Sequence, residues 1–214
     1  MKIQHFGLIF GTMIVACCGA SAQQLGVNFT GGGTNADDLD YSLGYEFQVT
    51  SPVTLVGLAA YNFDGLALAQ DVPVGLWTDS GTLVAFATIS AGTLPSGGSM
   101  FSEVSIAPIT LSDGFYDVAA VDTYAWGGDG YASFTGVTIA PGISFVEDRY
   151  LLGDFGYPTT SEYGDTGGSF LGWFGGNVVV EGGTSVPDET STLMLLGVVV
   201  VTIAAFRRRL AFSE

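Results

Sequence analysis

The side chains that most often do covalent or metal chemistry are crowded into the first 22 residues, where Lys2, His5, Cys17 and Cys18 all lie. From Gln23 onward there is no histidine, cysteine or lysine, so Ser-His-Asp and Cys-His nucleophiles and a Schiff-base lysine are excluded there. Zinc and copper sites of the usual kinds need imidazole or thiolate and are excluded with them. What remains is oxygen chemistry. Between Gln23 and Pro187 there are 18 Asp and Glu, and among so many acids some pair falls at a glycosidase-like separation by chance. The expectation is a protein that is not an enzyme and that needs no cofactor other than, at most, calcium. Asp37, Asp38 and Asp40 crowd their oxygens into a loop preceded by glycines and are the calcium candidates, although the loop lacks the spaced acids, central glycine and closing glutamate of an EF-hand. The plain alternative is a solvated loop.

A second kind of chemistry is suggested between Asp122 and Gly183, where aromatic residues alternate with Gly, Asp and Glu. Rings stack on the apolar faces of sugars while carboxylates accept hydrogen bonds from hydroxyls. Tyr124, Trp126 and Asp129 are the best loop candidates for such a carbohydrate site; the competing reading is that these aromatics fill a core. Arg149 is the sole basic residue between Gln23 and Pro187. Within Glu147-Asp148-Arg149 it reads as part of an internally paired surface turn, a structural partner rather than a catalyst.

Positioning any of these groups falls to strands. The 32 glycines lie mainly between short β-branched and aromatic runs, the pattern of strands joined by turns. Tyr45, Phe47 and Val49 alternate with Gly44, Glu46 and Gln48, as in a half-buried strand. Further strands are expected over 25–29, 53–61, 72–77, 82–89, 100–106, 115–121, 132–139 and 168–181. Turn formers such as Ser51-Pro52, Asp79-Ser80-Gly81 and Ser112-Asp113-Gly114 separate them. Regular turn spacing and the absence of a sustained helical period predict an all-β fold, an antiparallel β-sandwich or jelly roll, with little helix over residues 23–184.

With 18 acids against Arg149 alone, residues 23–187 are strongly anionic, so no nucleic-acid partner is expected. The charge suits divalent cations or keeps an exposed protein soluble. No disulfide can form in this stretch, and the domain must be held by its core.

Both ends read as targeting segments. Residues 1–22 carry Lys2, an apolar stretch from Phe6 to Ala16 and the ending Gly19-Ala20-Ser21-Ala22, which predicts a secretory signal peptide cut by signal peptidase after Ala22. A lipoprotein-type cut before Cys17 is the competing reading. Residues 185–214 hold Val186-Pro187-Asp188-Glu189-Thr190-Ser191-Thr192, an uncharged run from Leu193 to Phe206, and Arg207-Arg208-Arg209. Counted from Thr190, the uncharged stretch to Phe206 reaches the short end of what spans a bilayer, and the arginines stop it on the cytoplasmic side. A single C-terminal transmembrane helix over 190–206 is therefore expected.

This tripartite tail resembles the PEP-CTERM family of bacterial sorting signals, most closely the variant that opens Val-Pro-Asp. The resemblance implies recognition by an exosortase, a membrane-embedded cysteine protease-transpeptidase, through Val186, Pro187, Asp188, the helix and Arg207, Arg208 and Arg209. It also implies delivery to the cell surface or to an extracellular matrix rich in exopolysaccharide. Glu189 stands where the family more often has a small residue, and the tail runs on to Glu214. From Tyr41 to Val121 the chain is also similar to a β-sandwich domain of unknown function that recurs in such proteins. The points of likeness are Gly44-Tyr45-Glu46-Phe47, Ser51-Pro52-Val53, Val74-Gly75-Leu76-Trp77, Asp79-Ser80-Gly81-Thr82-Leu83, Pro108 and Tyr116.

Overall fold

The computed structural model describes residues 22–35, 40–62, 65–122, 129–161, 172 and 174–182. Its strands are β1 (Gln23–Leu25), β2 (Val27–Asn28), β3 (Gly31–Asn35), β4 (Tyr41–Val49), β5 (Val53–Tyr61), β6 (Val72–Thr78), β7 (Leu83–Ile89), β8 (Phe101–Leu111), β9 (Gly114–Asp122), β10 (Asp129–Thr135), β11 (Thr138–Ile139), β12 (Ile143–Leu152) and β13 (Gly176–Glu181). The protein is an all-β antiparallel sandwich. One sheet has the order β12-β4-β9-β6-β7 and the other β1-β13-β5-β8, with two short ribbons, β10-β3 and β11-β2, beside them.

The alternation read along β4 places Tyr45, Phe47 and Val49 in the core. Between the sheets they meet Leu55, Leu58, Leu76, Val118 and Val178, all buried. Rings dominate the centre: Phe29 stands edge-on to Phe101 at 5.4 Å and to Phe174 at 5.8 Å, and Phe174 lies 5.6 Å from Tyr45. Such pairs add to the gain from burial alone. The Tyr45 hydroxyl does not go unsatisfied. It donates to Asn177 Oδ1 at 2.6 Å, while Asn177 Nδ2 donates to the Val27 carbonyl, so one buried amide ties β4, β13 and β2 together. Burial pushes the Tyr45 phenol far above its ordinary pKa, which keeps it neutral and able to donate. At Gly176 the two sheets approach so closely that a β-carbon would overlap the Ala119 backbone.

Four expectations need correction. The single strand expected over 25–29 is divided at Gly26, whose amide donates to the Val178 carbonyl and whose carbonyl accepts from Ala140, so the chain passes from one sheet to a ribbon there. The strand expected over 132–139 is likewise two, β10 and β11, either side of Gly136. Gly31–Asn35 forms a strand that its three glycines concealed. Ile143–Leu152 is a ten-residue strand, so Glu147-Asp148-Arg149 is not a surface turn. A register shift between Phe145 and Glu147 breaks the strict alternation and hides that strand from the sequence. Of the strand expected over 168–181, Gly176–Glu181 is described as strand.

Candidate functional site

Pairing registers set four side chains in one row across the larger sheet. Glu147 of β12 faces Glu46 of β4, Glu46 faces Asp117 of β9, and Asp117 faces Trp77 of β6. Arg149 lies two residues along β12 from Glu147 and reaches back over the row. Its Nη2 is bonded to Glu46 Oε2 and lies 2.9 Å from Glu147 Oε1, and its Nε lies 3.2 Å from Asp117 Oδ1. The sole cation between Gln23 and Pro187 thus contacts three carboxylates.

Asp117 is the least satisfied member. Its side chain is fully buried, and neither carboxylate oxygen has a hydrogen-bond partner among the described residues. The Arg149 contact is close but poorly aligned. Burial drives the Asp117 pKa up to about 7; Arg149 pulls it down and the neighbouring Glu46 charge pushes it up again. In Arg149, burial works against the charged form, but the bond to Glu46 and the carboxylates around it more than offset this.

A strap over residues 153–161 covers the row. The Gly153 amide donates to the Asp40 carbonyl at 2.8 Å, the Gly156 amide to Ser42 Oγ at 3.0 Å, and the Tyr157 hydroxyl to the Asp79 carbonyl at 2.7 Å. Phe155 and Tyr157 pack on the Trp77 indole at 5.5 and 6.1 Å, and Phe86, half exposed, stands edge-on to Phe155. Burial beside Asp117 raises the Tyr157 phenol to about 12. The carboxylates and Arg149 thus cross-link the sheet beneath the strap, with Glu147 left partly exposed on the outer strand.

A different opening lies on the other sheet. A cleft of about 520 Å³ is floored by Leu25 and Val179 and edged by Gln24, Asn28, Ser96, Ser99, Glu103 and Thr138. It adjoins a smaller space of about 210 Å³ bordered by Gln23, Ser96, Glu103 and Val179.

Of the residues singled out in the sequence, Ala22 is placed beside β13, where its carbonyl accepts from the Gly182 amide. Asp40 accepts the Gly153 bond through its backbone. Asp129 opens β10, its backbone paired with Asn35. Tyr124, Trp126, Asp37, Asp38, Val186, Pro187, Asp188, Arg207, Arg208 and Arg209 lie outside the described residues. Among the described residues no group of three or more His, Cys, Asp or Glu is set to hold a metal ion. None of their helices is long and apolar enough to cross a membrane, and the run from Leu193 to Phe206 falls outside them. Sequence reasoning missed Glu46 and Asp117. The signal that could have found them is two acids at outward positions of central strands, which call for a cation in a chain that has almost none.

No protein-family model matches the chain, and no curated protein matches it either. Among solved structures it is similar to the VP2 subviral particle of infectious bursal disease virus, at 16% identity over 86% of this chain and 39% of that one, with a TM-score of 0.22. The chain therefore spans well under half the length of that chain, and a likeness at this TM-score carries no argument. The sandwich assignment rests on the strand registers themselves.

Proposed function

We propose that this is an exported cell-surface or extracellular-matrix protein with a non-catalytic β-sandwich. In this reading signal peptidase removes residues 1–22, and the PEP-CTERM-type signal over 185–214 anchors the chain by one helix and presents it to an exosortase. The observation that carries the proposal is where the sandwich opens and closes. β1 starts at Gln23, directly after the expected cut, and β13 ends at Glu181, a few residues before Val186-Pro187-Asp188; the two strands pair, Gln23 opposite Glu181. Both targeting segments therefore attach at one corner of one sheet, and either can be removed without taking a core strand with it. Replacing Arg207, Arg208 and Arg209 with Glu tests the tail: surface delivery should fail, because the cytoplasmic stop loses its positive charge. Normal delivery of that variant would overturn the sorting claim.

The second reading is a carbohydrate-binding module in the exopolysaccharide layer, calcium-assisted if Asp37, Asp38 and Asp40 take the ion. One observation favours it, the cleft edged by amides and hydroxyls beside β1 and β13. Glycan arrays read with calcium and with chelator test it: saturable binding supports a module, and a blank array in both conditions removes it.

A further inference from the structure

We propose that the cleft between β1, β13, β8 and the 96–99 turn binds a small neutral, hydroxyl-rich ligand, a mono- or disaccharide unit, with Glu103 accepting hydroxyl hydrogen bonds. This rests on the carbohydrate-binding reading but moves the site away from Tyr124, Trp126 and Asp129.

The size, about 520 Å³, lies within the ~300–1,000 Å³ of small-molecule sites. Gln24 and Asn28 supply amide donors and acceptors, and Ser96, Ser99 and Thr138 supply hydroxyls. Several of these groups are already partly engaged: Ser99 Oγ donates to the Phe101 carbonyl at 3.2 Å, and Asn28 Oδ1 accepts the Phe29 amide at 2.9 Å. Among the described residues nothing engages the Asn28 amide nitrogen or the Ser96 and Thr138 hydroxyls, and these face the ligand. Leu25 and Val179, both nearly buried, close the bottom of the cleft with a small apolar surface.

Other ligand classes fit worse. No cation lines the cleft, so phosphate, sulfate or a uronate would meet Glu103 with no counter-charge, on a chain that is already strongly acidic. A metal ion would find one carboxylate, where calcium wants six or more oxygens. A wholly apolar ligand would strip water from the polar edge and leave it unpaired. Glu103 itself is partly buried, and among the described residues no ion pair reaches it. Burial pushes its carboxyl pKa up, as expected of an acid held without a cation partner. A hydroxyl donor is the neutral group that satisfies it.

The test uses the full chain in mild detergent. Glucose, galactose, N-acetylglucosamine and cellobiose are titrated by calorimetry, with glucuronate alongside, and hydrogen exchange locates any protection. The expected result is saturable binding of at least one neutral sugar, none of glucuronate, and slowed exchange in peptides covering 22–28 and 94–103. Glu103→Ala should weaken that binding at least tenfold, and Ser96→Trp, which fills the cleft from the turn, should abolish it, both with unchanged melting temperature. Binding that protects residues 122–131 instead, and that survives Ser96→Trp, would overturn the cleft while leaving the carbohydrate reading intact. No binding of any of these sugars would overturn both.

Discussion

Arg149 Nε lies 3.2 Å from Asp117 Oδ1, the side chain of Asp117 being fully buried, and the same guanidinium holds Glu46 and Glu147. One cation thus bridges an acidic row that crosses three strands of the larger sheet, β12, β4 and β9.

Arg149→Met should be among the most damaging single changes. It strands Glu46 and Asp117 as uncompensated buried charges, a loss of about 3–5 kcal/mol for a broken buried pair. Urea unfolding at pH 8 measures it. A loss under about 1 kcal/mol, the range of an exposed pair, would mean the guanidinium is not the partner of these acids.

The stability should fall as pH rises through the range set by Asp117. Its carboxyl titrates near 7 in the folded protein and near 4 unfolded, so between these values the native state holds the extra proton. By linkage, the unfolding free energy then decreases from about pH 4 to about pH 7 by up to about 4 kcal/mol, each pKa unit being worth about 1.4 kcal/mol, and the penalty is constant above that window. Asp117→Asn should flatten this part of the profile. If that substitution left the slope of the parent unchanged, the pH dependence would belong to another group.

Tyr45→Phe removes the donor to Asn177 Oδ1, which keeps the Val178 amide at 2.9 Å and a longer bond from Val27. The expected cost is about 1–2 kcal/mol. Asn177→Leu should cost more, since it leaves the buried Val27 amide and carbonyl without this side chain. Chemical denaturation of the two variants gives the order; the reverse order would contradict the network.

Gly44→Ala should prevent folding at 37 °C, because a methyl there would overlap the Val118 carbonyl on the paired strand. The oxygen belongs to backbone held in a central sheet, and the methyl is fixed to the backbone of the paired strand, so neither can yield cheaply. Near-normal thermal unfolding of this variant would refute the close approach of β4 and β9.

Much of the sandwich was legible in the sequence, because β4, β5, β6 and β7 carry clean alternation or β-branched runs between turn residues. β3 was not, since Gly31-Gly32-Gly33 has no side chains to alternate. β12 was hidden by its charges: Glu147, Asp148 and Arg149 look solvated until Glu46 and Asp117 are brought under the guanidinium. That meeting depends on strand order, with β4 placed between β12 and β9, and strand order is not written in local periodicity. The cleft was equally invisible, since Gln24, Asn28, Ser96, Glu103 and Thr138 come together only through the sheet order β1-β13-β5-β8 and the pairing of β2 with β11.

The most direct test of the export and sorting proposal is the intact mass of the protein recovered from its native cell surface. The account predicts a chain that begins at Gln23 and ends near Pro187, both cuts falling just outside the pair of β1 with β13. A mass that still includes Leu193 to Arg209 would contradict exosortase processing and leave a permanent one-helix anchor. A mass that still includes residues 1–22 would contradict export through a cleaved signal peptide.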